Sequence, residues 1–167
     1  ENNTVAIGFG AGSAIDSDST SANVLIGSFA GEGGAGYILR TVAIGDDTLN
    51  NTGNQNVDYG TFVGSEAGGG TWAGGGTENT AIGYQAFKGA VNGANFNTVV
   101  GSQAGKAITT GDNNVAMGYQ SLYSVTTSDG NVGIGFKAGY SNTGGQAVLI
   151  GREAGYNNTA NQTIAIG

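Results

Sequence analysis

The side chains in this chain able to do acid–base or metal chemistry are carboxylates alone. Its 167 residues contain no His and no Cys, so the nucleophile–base pairs of Ser-His-Asp and Cys-His enzymes cannot be assembled, and most zinc sites are excluded. The raw material that remains is Asp16 with Asp18, Asp46 with Asp47, and Glu66 and Glu153, each two residues after a recurring glycine. Paired carboxylates suffice for glycoside hydrolysis. Asp16-Ser-Asp18-Ser-Thr20 offers alternating oxygens of the kind that hold Ca²⁺, without the rest of a calcium loop. Adjacent acids in a turn are ordinarily solvated. No catalytic residue, cofactor-binding residue or metal ligand is therefore assigned, and the chain is read as non-enzymatic.

Two glycine patterns imitate nucleotide sites and fail on inspection. Val5-Ala-Ile-Gly-Phe-Gly-Ala-Gly12 has serine at 13 where a dinucleotide fingerprint needs glycine, and no helical periodicity follows it. Gly101-Ser-Gln-Ala-Gly-Lys106 is one residue short of a P-loop and continues with Ala107 instead of a magnesium-binding hydroxyl. Exposed aromatics are a better lead. Trp72, the one tryptophan, sits among Gly68, Gly69, Gly70, Gly74, Gly75 and Gly76, where small neighbours leave an indole free to stack on a sugar face. Trp72, Tyr37 and Tyr123, all on connections, are the candidate contacts for a receptor or glycan; for Trp72 the favoured reading is that it folds back to cover a coil, and Tyr37 and Tyr123 carry the same ambiguity.

These residues must be positioned by a repeat. Ten times the chain writes a β-branched residue, any residue, an aliphatic residue or Met, then glycine, closing at Gly8, Gly27, Gly45, Gly64, Gly83, Gly101, Gly118, Gly135, Gly151 and Gly167, at spacings that fall from 19 to 16 residues. Self-similarity at this period marks a solenoid, in which each copy buries apolar surface by stacking on the next. Glycine makes up about a fifth of the chain against about 7% on average, without the proline of collagen, which suits many tight turns between short strands. The expectation is all-β: a parallel β-solenoid of about ten coils over residues 1–167. At about 4.8 Å per strand the rod is on the order of 45 Å long. Because both ends fall inside the repeat, the array reads as a segment of a longer fibre protein.

The net charge of −7 argues against nucleic acid and anionic membrane surfaces as partners, and no apolar run suits a membrane span. Asparagines four residues before the glycine, Asn23, Asn79, Asn97, Asn114 and Asn131, are placed to form a ladder from coil to coil.

Inside the motif, the residues one and three before the glycine share a side of the strand, and being mostly Val, Ile or Thr they are expected to line the coil interior. The residue between them then faces outward, yet it is never polar. It reads Ala6, Leu25, Ala43, Phe62, Ala81, Val99, Ala116, Gly133, Leu149 and Ala165, and the column four after each glycine complements it in volume. Leu25, Phe62, Val99 and Leu149 are matched by glycine, while Leu49, Phe87 and Leu122 are matched by alanine. Where both are small, in the first and eighth copies, Phe9 or Phe136 follows the glycine. Constant summed volume means one shared space. On this assignment that space lies between chains, making Leu25, Phe62, Val99, Leu149, Leu49, Phe87 and Leu122 an inter-chain stripe. Thr61, Thr80 and Thr98, the short threonine array an ice-binding face would need, would point inward.

Asn79-Thr-Ala-Ile-Gly-Tyr-Gln-Ala-Phe87, Asn114-Val-Ala-Met-Gly-Tyr-Gln-Ser-Leu122 and Val5-Ala-Ile-Gly8 resemble the repeats of bacteriophage tail-fibre shafts and the head repeats of trimeric autotransporter adhesins. The resemblance implies a left-handed parallel β-roll, a homotrimeric rod, and attachment to a host. It also implies an extracellular place, on the virion or alternatively on a bacterial cell surface, with two further copies of the chain and a host-surface glycan or protein as partners. Adhesin head repeats are typically shorter than those here, and the Tyr-Gln-Ala-Phe87 and Tyr-Gln-Ser-Leu122 continuations tilt the reading toward a phage or virion fibre. A polysaccharide-cleaving tailspike is the alternative of another class.

Overall fold

The computed structural model describes residues 3–13, 22–33 and 36–167; the carboxylates and calcium-like stretch of Asp16 and Asp18 lie outside the described residues. In chain order the strands are β1 (Val5–Ile7), β2 (Val24–Ile26), β3 (Ile38–Leu39), β4 (Val42–Ile44), β5 (Val57–Asp58), β6 (Thr61–Val63), β7 (Gly76–Thr77), β8 (Thr80–Ile82), β9 (Thr98–Val100), β10 (Val115–Met117), β11 (Val132–Ile134), β12 (Val148–Ile150) and β13 (Ile164–Ile166). Among the described residues there is no helix. Each motif is one strand of a ten-stranded parallel sheet, and β3, β5 and β7 form a second, three-stranded sheet along the connections. The result is a β-solenoid of about eight turns.

Register is fixed without slippage: Val115 pairs with Thr98 on one side and Val132 on the other, so equal motif positions stack in columns. The motif glycine fixes the corner after each strand. Gly101 has φ +136, which side chains rarely adopt, and a Cβ there would stand 2.5 Å from the carbonyl oxygen of Gly118 in the next coil. Further left-handed corners recur two and four residues later, and these are not always glycine: Gln103 (φ 58), Gln120 (φ 53), Phe87 (φ 53) and Leu122 (φ 46) adopt them. Such a residue costs about 1–2 kcal/mol and persists because stacking over-determines it. The corner amides of Gln103 and Gln120 donate to Tyr84 and Ser102 one coil back, at 2.8 and 3.0 Å.

The interior reverses the expected faces. Leu25, Ala43, Phe62, Ala81, Val99, Ala116 and Leu149, at the middle of their strands, are fully buried within the single chain, as are Leu49, Phe87 and Leu122. The predicted inter-chain stripe of Leu25, Phe62, Val99, Leu149, Leu49, Phe87 and Leu122 is thus corrected: these residues form the hydrophobic core of one solenoid. The shared volume is real and lies inside the coil. A Cβ on Gly105 would meet Val99 Cγ2 at 3.0 Å, and one on Gly139 would meet Leu122 Cδ2 and Leu149 Cδ1, each at 2.7 Å. The eighth copy, small in both columns, is therefore filled by leucines of its neighbours. Phe136 and Phe9 do not fill their copies; they are 40% and 77% exposed.

The fold makes Gly68 and Gly145 a decisive pair. Gly68 has φ +62 and space already taken by Phe62 Cδ1 at 2.6 Å, whereas the nearest atom to a Cβ on Gly145 is 3.4 Å away. Gly68→Leu is expected to cost about 3 kcal/mol or more, and Gly145→Ala to stay within about 0.5 kcal/mol of the parent. Thermal melting of the two variants checks this, and equal losses would contradict the packing described.

Candidate functional site

With the middle residue turned inward, the residues one and three before the glycine face out. Val24, Ile26, Val42, Ile44, Val132, Ile134, Val148 and Ile150 are half-buried, while Ile82 and Met117 are 39% and 42% exposed. Short coils with one inward position per strand leave the two flanking side chains no room inside. Thr61, Thr80 and Thr98 are likewise on the outward face, contrary to expectation. The main sheet therefore presents a mostly aliphatic band whose two columns run from β1 to β13. Isolated apolar residues on a surface need no explanation, but a contiguous band marks an interaction surface.

Of the aromatic candidates, the indole of Trp72 is removed from the surface. It is 3% exposed, Nε1 donates to the Gly68 carbonyl at 2.8 Å, and its ring lies edge-on between Phe62 and Phe87 with centroids at 6.2 and 6.4 Å. The glycines around it make room inward. Tyr37 is 40% exposed, and Tyr123 is half-buried in a stack with Tyr140. The structure does not bring the three together.

The candidate carboxylates are dispersed. Glu66 is held by Lys88 in the one ion pair among the described residues, and Gln85 also donates to it. Asp47 accepts from Asn50 at 2.9 Å. Glu153 is exposed. Among the described residues no three His, Cys, Asp or Glu side chains are grouped to hold a metal, and no helix is long and apolar enough to cross a membrane. A stacked acidic pair escaped sequence reasoning: Asp112 accepts from the Asn95 amide at 2.7 Å and Asp129 from the Asp112 amide at 2.8 Å. It stands at a corner whose distance from the motif could have been counted. Asp129 also lines an open, polar depression of about 390 Å³ with Gly145, Gln146, Asn161 and Gln162.

The asparagine ladder is present from Asn79 to Asn131, whereas Asn23 Oδ1 accepts instead from the Thr41 backbone amide at 2.9 Å. Asn97 Oδ1 accepts from the backbone and side-chain amides of Asn114 at 2.9 and 3.1 Å, and Asn114 Oδ1 accepts from Asn131 in the same way. Each Nδ2 also donates to a carbonyl across the coil, Asn97 to Gly111 and Asn114 to Ser128. Where Ala147 interrupts the column, Asn142 continues it from another position, donating to Asn131 and accepting from Asn158. A second amide ladder runs outside, from Gln120 to Gln103 to Gln85. Asp58 breaks this order, with Oδ1 the one buried side-chain polar atom lacking a partner among the described residues. Burial pushes its carboxyl up from 3.8, against the pull of Arg40.

Comparison with protein-family models, curated proteins and solved structures finds no match for this chain.

Asn114→Ala leaves the buried Asn131 amide without its acceptor and is expected to destabilise by about 1–3 kcal/mol, read as a fall in denaturation midpoint. A change below a tenth of that would remove the ladder from the account. For Asp58, a raised native pKa means the folded state holds the proton more tightly, so stability declines as pH rises from 3.8 through the native value. Asp58→Asn should therefore melt higher than the parent at pH 7 and equal to it near pH 3; a variant less stable at pH 7 would show that the carboxylate is favourably held.

Proposed function

We propose that this chain is a structural segment of an extracellular attachment fibre, in which three copies pack their outward aliphatic faces about a common axis. The observation that carries the reading is the band of Val, Ile and Met projecting from the main sheet. Each such side chain contributes about 1.5–3 kcal/mol when fully buried and little in water, so the band favours association. Cyclic symmetry covers every copy of one surface at once. Three copies, and a host-attachment role on a virion, follow the resemblance of Val5-Ala-Ile-Gly8 and its nine counterparts to tail-fibre and adhesin repeats; the head of a bacterial surface adhesin uses the same assembly.

Two other classes have less support. An ice-binding face gains outward threonines at Thr61, Thr80 and Thr98, but seven of the ten outward positions in that column are Val or Ile, and thermal hysteresis would be the sign of it. A polysaccharide-cleaving tailspike needs a free carboxylate pair, whereas Asp112 and Asp129 each hold a backbone amide.

Light scattering on the eluted protein is expected to give three times the 16.4 kDa chain mass, and Val132→Lys with Ile134→Lys to give a folded monomer. A parent protein that remains monomeric at high concentration overturns the assembly.

A further inference from the structure

The cations of this acidic chain are not evenly placed. Three of the five, Lys106, Lys137 and Arg152, follow residue 100, where they balance Asp112, Asp129 and Glu153, so the whole net charge of −7 resides in residues 1–100. The two aspartates are engaged by backbone amides at a different corner of the coil. The three cations instead lie over aromatic rings on the turns that follow β9 to β12.

Two ring columns meet there. Tyr123, Tyr140 and Tyr156, each five residues after a closing glycine, stack at 4.9 Å with interplanar angles of 1° and 10°. Tyr119 and Phe136, directly after the glycine, stack at 5.5 Å and are 45% and 40% exposed. Lys137 joins the columns, its Nζ 5.3 Å from the Phe136 centroid and 5.5 Å from that of Tyr140. The guanidinium of Arg152 lies 5.3 Å from the Phe136 centroid, and Lys106 Nζ 5.8 Å from that of Tyr123. Among the described residues neither Lys137 nor Arg152 meets a carboxylate.

From this arrangement we infer a binding face for an acidic polysaccharide, lying along the rod axis with its carboxylates on Lys137 and Arg152. The exposed rings of Tyr119 and Phe136 offer apolar surface to sugar C–H groups. Because the tyrosine rings cover one another's faces, they present edges and a row of phenols repeating at the coil spacing, which suits a polymer with hydroxyls at regular intervals. Burial, then the neighbouring phenols of Tyr123, Tyr156 and Tyr119, push the Tyr140 phenol up, so its hydroxyl stays a donor. The face is an open ladder, which favours an extended chain over a small molecule. Repulsion from the remaining acids falls hardest on a densely charged polyanion such as nucleic acid.

The inference gives a ligand class to the attachment role proposed above and rests on that reading for its biological use, but its test is separate from oligomeric mass. Titration calorimetry with oligogalacturonate and with polysialic acid is expected to show binding to at least one that weakens as salt is raised. Fully methyl-esterified oligogalacturonate should bind at least about tenfold more weakly than the free acid if that is the ligand. Lys137→Gln with Arg152→Gln should lose at least about tenfold in affinity with unchanged melting, whereas Arg40→Gln, which removes a cation resting on Tyr59 elsewhere, should lose none. No binding of either acidic glycan, undiminished binding by the double variant, or tighter binding of a single-stranded oligonucleotide would each overturn it. Failure in any of these ways leaves a threefold mass intact.

Discussion

The coil is wide enough for about one large side chain per strand, and the other surfaces of the molecule are consequences of that width. Phe62 fills its level with Gly68 opposite, Leu122 fills its own with Ala116 opposite, and Gly133 with Gly139 cedes its level to leucines above and below. Summed volume is held constant because a closely packed interior tolerates neither a void nor an extra methylene. Once the single inward place is taken by the middle residue, the β-branched residues on either side must face out. The aliphatic band that invites association is thus the geometric complement of a narrow core.

Stacking is held by two devices. Left-handed corners let the chain turn in very few residues, with glycine where the next coil's carbonyl leaves no space for a Cβ and with Gln, Phe or Leu where neighbours compensate the strain. From Asn79 to Asn142 buried asparagines then link coil to coil through both donor and acceptor, which meets the demand that buried amides be paired. Each device works only when equal positions lie above one another, so together they select the in-register pairing seen along the sheet.

Much of this was legible in the sequence. The recurring glycine located every main-sheet strand, the column of Asn79, Asn97, Asn114 and Asn131 located the ladder, and the volume complement located a shared space. Which side of the strand held that space was not legible, because a period of two separates faces without saying which is inside. The better clue was size: alternating Ala and Gly suit a tight interior, and Thr98 and Met117 a looser exterior. A glycine-rich flank allows the ring of Trp72 to turn inward as well as outward, and of the two readings the structure bears out the inward one. Ile38 and Val57 stand seven residues before the next closing glycine and Val91, Ile108 and Val125 ten before it, so the far wall of the core is split between two short columns of different phase and stood out in neither. The cation-and-tyrosine face escaped for another reason: Lys106, Lys137 and Arg152 stand five, two and one residues after their closing glycines, and only stacking brings these different positions over neighbouring rings.

Met117 offers the most direct test, as the one methionine of the chain and a member of the outward band, 42% exposed in the single solenoid. Its ¹³C-labelled methyl group gives one resonance, whose broadening by a soluble gadolinium chelate reports contact with solvent. The account predicts protection at concentrations where the protein is assembled and broadening on dilution, with the β-sheet signal unchanged. A Met117 methyl that is fully accessible at every concentration while the solenoid stays folded would contradict the claim that sister copies cover this face.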